Sequence, residues 1–172
     1  MGLWVLPNAM AATTDAFFRI LYTGRASPAC EADVDGVLAD ILATGVARNR
    51  KSGLTSILLF HRGWFIGALE GPEPALQATF ERMKNDPRHL GLHTIAQAVH
   101  TERLFPAWSF CAWALSGDDA AVLAGFDEED DFDGSAVPER TVLRLLAVVA
   151  SAHGRRFAAQ QRLRIRREPL GG

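Results

Sequence analysis

The stretch "LTSILLFHRGWFIGALEGPEP" (residues 54–74) decides how this chain folds. Residues 54–60 and 64–70 are two apolar, β-rich runs, and the "HRG" between them (61–63) is a short glycine-containing turn. That pattern predicts a β-hairpin. Glu70-Gly71-Pro72 closes the second run, and Pro74 stands where a helix begins, a place where its missing N–H costs nothing. One residue does not belong. Gly67 lies inside the second run, where a glycine has no side chain to pack and loses extra entropy on folding. A bulge, or the close approach of another group, would account for it. Residues 65, 67 and 69 share one face of that strand, and Trp64 belongs to the other.

Upstream, "FFRILY" (17–22) predicts a strand that ends at the turn signal Gly24. Val34, Val37, Leu38, Ile41 and Leu42 then recur at helical spacing, which predicts an amphipathic helix over about 31–47, followed by a polar loop "RNRKSG" (48–53). Downstream, Leu76, Phe80 and Met83 mark the buried stripe of a helix over about 73–84, which "NDPRHLG" (85–91) ends. Residues 92–105 and 107–115 predict a fourth and a fifth strand. The order βαββαββ is the α+β, ferredoxin-like plan: one sheet with two helices on one face. The stripe Val142, Leu145, Leu146, Val149 and Ala150 predicts a further helix over 138–153, with Pro138 near its first turn, that covers the other face.

The chain of 172 residues is long enough to bury a core without disulfides or metals. The expected organisation is a mobile segment 1–15, a folded domain 16–115, an acidic linker 116–137, and a C-terminal helix with a basic tail, 138–172. The net charge of −2 gives no overall pull toward nucleic acid. Six arginines between 155 and 167 could meet phosphates, but a solvated face or an intramolecular partner for the acidic run at 127–133 is favoured. Two cysteines, Cys30 and Cys111, make no disulfide framework and suit a reducing compartment. The apolar start lacks the basic residues of a signal peptide, and no run reaches membrane-spanning length, so a cytoplasmic protein is expected. His89 and His93 are four apart but cross a loop into a strand with no further ligand, so ordinary histidines are favoured over a metal site. No nucleophile here has a recognisable partner, and an Arg–Asn pair of acylphosphatase type in "RNR" (48–50) is a weak signal.

Five segments in order, "RILYTGRA" (19–26), "NRKSGLTSILLF" (49–60), "ALEGP" (68–72), "ERMKNDPRH" (81–89) and "RLFPAWSF" (103–110), resemble the BLUF domain, a flavin-binding blue-light sensor. The resemblance spans about residues 17–115. It implies FAD as cofactor (FMN or no flavin being the alternatives), lying between the two helices. In that family a tyrosine on the first strand contacts a glutamine on the third, and the glutamine amide bonds the flavin. Blue light moves an electron and a proton from the tyrosine, the amide rearranges, and the altered hydrogen bonds pass a signal toward the fifth strand and the C-terminal helices.

Carried over by position, Tyr22 matches the tyrosine and Asn49 the asparagine that bonds the ring. Arg48 stands where the family often has His or Asn, and Phe65 leans toward the same site. Arg82 and Asp86 match side chains at the ring's polar edge, against an ordinary (i, i+4) ion pair. Arg88 and His89 match a pair near the ribityl or phosphate end. Trp108 matches a tryptophan before the signalling methionine, whose place Phe110 takes. Aligning "GLTS" and "LEG" puts the glutamine's place on Gly67, which offers neither donor nor acceptor. The expected protein is a non-enzymatic BLUF-like sensor with an impaired or altered photocycle, acting through self-association or a downstream protein. A flavin-free interaction module is the alternative, and an acylphosphatase-like enzyme is third.

Overall fold

The computed structural model describes residues 16–104, 111–115 and 133–151. The elements are β1 (Phe17–Ala26), α1 (Pro28–Ala32), α2 (Val34–Ser52), β2 (Thr55–His61), β3 (Trp64–Gly71), α3 (Glu73–Lys84), β4 (His89–His100), β5 (Cys111–Ala114) and α4 (139–151). One five-stranded sheet has the order β4-β1-β3-β2-β5. Its first four strands pair antiparallel, and β5 joins β2 in parallel. The expected α+β, ferredoxin-like plan is therefore present.

The hairpin forms as expected, with a tighter turn. His61 pairs with Trp64, and the two residues between them, Arg62 (φ 47°) and Gly63 (φ 76°), both take positive φ. That is the signature of the two-residue turn whose twist matches the strands.

Alternation along each strand sorts the core into two layers. Ile20, Tyr22, Leu58, Phe65 and Leu69 face α2 and α3, where they meet Leu38, Leu76 and Phe80. Leu21, Ile57, Leu59, Ile66 and Ala68 face the other way, onto Val142, Leu145, Leu146 and Val149 of α4. The predicted C-terminal stripe is thus buried on the outer face, although Pro138 precedes the helix, its carbonyl accepting from Thr141 and Val142. Residues 133–137, predicted as the end of a linker, dock on the sheet: the Thr23 hydroxyl donates to the Gly134 carbonyl at 2.8 Å.

Several boundaries differ from expectation. The helix expected over about 31–47 is two, α1 and α2, divided at Asp33, whose carboxylate accepts from Gly36 N–H and caps α2. The strand expected over 92–105 ends at His100. The polar "RNRKS" is not a loop but the last turn of α2. Gly53 (φ 67°, ψ 21°) stops the helix, with Gly53 N–H donating to the Arg50 carbonyl and Leu54 N–H to that of Asn49. This is a glycine-terminated Schellman motif, and basic residues suit that end of the helix dipole. Strand β1 runs on to Ala26, because β4 starts at His89 and pairs along it. The β1–β4 register slips at Leu21/Tyr22 and at Gly24/Ala26. A Cβ on Gly24 would lie 2.7 Å from Leu92 and 3.0 Å from the Gly91 carbonyl, so glycine is what lets the two strands close there.

Candidate functional site

Between α2, α3 and the inner face of the sheet lies a cavity enclosing about 860 Å³ of empty space, solvent at its mouth included. Tyr22, Arg48, Asn49, Phe65, Arg82, Asp86, Arg88 and His89, singled out by position, all line it. Trp108 and Phe110 lie outside the described residues.

The floor is apolar, made by Leu58, Phe65 and Leu69 from neighbouring strands. At its centre Tyr22 of β1 stands directly opposite Gly67 of β3. The Tyr22 ring leans over that glycine. A Cβ at position 67 would lie 2.4 Å from the phenol oxygen, 2.5 Å from Cζ and 2.9 Å from Cε1. Gly67 is therefore a close-approach glycine, not a bulge: its pairing with Leu58 on the other side is regular. Phe80 of α3 packs edge-on against the phenol at 5.9 Å. Tyr22 is only 3% exposed, and burial pushes its pKa above the ordinary phenol range, which keeps it protonated.

On the α2 side, Asn49 is buried because the helix continues past residue 47 and turns it toward the sheet. Its amide donates to the Ser56 hydroxyl at 2.7 Å. Alternation with Leu58 assigns Ser56 to the cavity face, and no sequence motif marks it as a site residue. Arg48, one residue earlier, is exposed at the mouth.

On the α3 side the helix ends at Lys84, as its pattern predicts, so Asp86 lies beyond it and the alternative of an (i, i+4) ion pair with Arg82 does not form. Arg82 instead donates to the Thr79 hydroxyl at 3.2 Å. Asp86 pairs with Arg88, accepting from Nε at 2.8 Å, from Nη2 and from the Arg88 backbone N–H at 3.0 Å. The Arg88 side-chain hydrogen bond is the main reason the Asp86 carboxyl titrates below its usual range. His89 is held by backbone. Its Nδ1 accepts from Gly91 N–H at 3.2 Å, which leaves Nε2 to donate to the Met83 carbonyl at 2.7 Å. His89 and His93 both lie on β4, and no metal-binding cluster occurs among the described residues.

An apolar slot can take a flat aromatic ring, Tyr22 and the Asn49–Ser56 pair supply polar groups beside it, and Arg48 and Arg82 suit an anionic end. Fold and cavity together define a ligand-binding α+β domain with a site built for an aromatic, polar-edged group. The chain belongs to the BLUF family, sensors of blue light using FAD, whose model matches residues 17–111. The matched region is thus a flavin-binding photosensor domain. It is 33% identical over 94 residues to the photoactivated adenylate cyclase subunit beta of Euglena gracilis, a match covering 55% of this chain and 10% of that protein. The chain therefore spans about a tenth of the length of the curated relatives it matches. Among solved structures it resembles the dark state of BlrB, a BLUF protein, with 25% identity, a TM-score of 0.64, and coverage of 81% of this chain and 98% of that one. The photo-activated state of BlsA shares the fold at 20% identity and TM-score 0.67, covering 78% and 94%. Among the described residues no helix is long and apolar enough to cross a membrane.

Proposed function

We infer that this BLUF protein holds flavin in the α2–α3 cavity but responds to blue light with an impaired or altered photocycle. Gly67 carries the reading: an amide side chain cannot stand there while the Tyr22 phenol lies over it. Asn49, positioned by Ser56, addresses the ring from α2, and Phe65 and Leu58 support it from the sheet. Arg48 and Arg82 suit the anionic end, and the Asp86–Arg88 pair sets the polarity of the cavity wall. His89 orients the start of β4 through its two backbone hydrogen bonds and leaves no ring nitrogen for the ligand. Bound there, a flavin supplies absorption of blue light. The protein's own part is to exclude water, orient the ring and hold the Tyr22 proton. Trp108 and Phe110 belong to the output side of this reading. The chain acts without catalysis of its own, in the cytoplasm, through self-association or a separate downstream protein.

The test is a blue-light difference spectrum of the purified, FAD-loaded protein. The expected result is a flavin spectrum with no reversible red shift. A normal reversible red shift refutes the impaired photocycle. A protein that stays colourless after incubation with FAD refutes flavin binding and favours an interaction module.

A further inference from the structure

Deepening that reading, we propose that the Tyr22 hydroxyl occupies the space left by the missing side chain at 67 and donates a hydrogen bond directly to the polar edge of the bound flavin. Three observations converge on it. The phenol oxygen lies 2.4 Å from where a Cβ at 67 would be, so the hydroxyl has moved into that residue's volume. Tyr22 is 97% buried and lines the cavity, yet its hydroxyl finds no hydrogen-bond partner among the described residues. No buried side-chain polar atom among them lacks a partner, so the hydroxyl must open onto the cavity. Buried phenols ordinarily have a partner, and a ligand in the cavity would supply it. The remaining polar groups on the sheet floor are engaged: Ser56 by Asn49, and both His89 nitrogens by backbone. Because burial keeps the phenol protonated, it can act as donor. Gly67 is thus the residue that lets tyrosine reach the ligand without an intermediary.

The experiment loads wild type, Tyr22→Phe and Gly67→Ala with FAD and records the carbonyl stretch by Raman scattering, the visible absorption band and the FAD affinity. Loss of the donor in Tyr22→Phe is expected to raise the flavin carbonyl frequency, move the visible band to the blue and weaken FAD binding about fivefold, as for one neutral hydrogen bond. Gly67→Ala, whose Cβ displaces the phenol, is expected to give the same spectral change with Tyr22 still present. Tyr22→Phe with an unaltered carbonyl frequency, band and affinity overturns the direct contact while leaving flavin binding intact. Failure of all three proteins to bind FAD overturns both this contact and the reading on which it rests.

Discussion

Gly67→Ala is the smallest perturbation that tests the overlap of strand and phenol. The added methyl carbon would sit 2.4–2.9 Å from three atoms of Tyr22. Ordinary contact requires roughly 3.5–4.0 Å, so the ring must retreat by about 1 Å. Phe80 packs against it from α3 and resists that retreat. Overpacking of this kind costs about 1–3 kcal/mol. Replacing a strand glycine by alanine recovers about 0.5–1 kcal/mol of chain entropy. The net expectation is a loss of about 1–2 kcal/mol in urea unfolding of the flavin-free protein. In a Tyr22→Leu background the distal ring atoms are gone, so Gly67→Ala should be neutral or stabilising by about 0.5 kcal/mol. The double-mutant cycle then shows a coupling of about 2 kcal/mol. A Gly67→Ala protein as stable as wild type, with no coupling to Tyr22, would refute the placement of the phenol over residue 67.

Glu70 is wholly buried on the outer face and accepts from Arg19 Nε at 2.7 Å, Thr55 at 3.2 Å and Leu104 N–H at 2.9 Å, so Glu70→Ala strands a buried guanidinium and should cost about 3–5 kcal/mol in chemical denaturation. Arg19→Met with Glu70→Leu should lose less than Glu70→Ala alone. Burial, with the nearby Arg62 charge, lowers the His61 pKa in the folded state. Its contribution is therefore present above about pH 6.5 and is lost as pH falls toward the depressed folded value, and His61→Gln should flatten that part of a stability–pH profile. At Gly134 a Cβ would meet the Trp64 ring at 2.4 Å, so Gly134→Ala should loosen the docking of 133–136 and speed hydrogen exchange at the Trp64 and Thr23 amides. Gly67→Gln, which returns a donor and an acceptor to the floor, is expected to bring back a reversible red shift once the Tyr22 ring has swung aside.

The misread boundaries share a cause. "RNRKS" is polar because the last turn of α2 meets solvent, and composition alone does not separate such a turn from a loop; Gly53, one residue on, was the available stop signal. Strand β4 begins with His89 and an exposed Leu90 because it is an edge strand, and its pattern carries little alternation. Spacing alone leaves an (i, i+4) pair of Arg82 with Asp86 open, but the helix stops before Asp86, and that carboxylate turns to Arg88 two residues away. Alternation beside Leu58 places Ser56 on the cavity face, but a lone serine signals nothing until its partner on α2 is known.

Local patterning alone determined the hairpin, the two helices that wall the cavity, the stripe of α4 and the faces on which Tyr22, Phe65 and Gly67 lie, since periods of 2 and 3.6 residues report which side of an element is buried. Tertiary structure decided what happens on that face. Tyr22 and Gly67 are 45 residues apart in the chain, and only the antiparallel register of β1 with β3 sets them opposite each other. Phe80, which arrives from α3, packs edge-on against the ring that leans over the glycine. A missing side chain is visible in the letters; which neighbour fills its place is a matter of packing in three dimensions, where residues distant along the chain compete for the same volume.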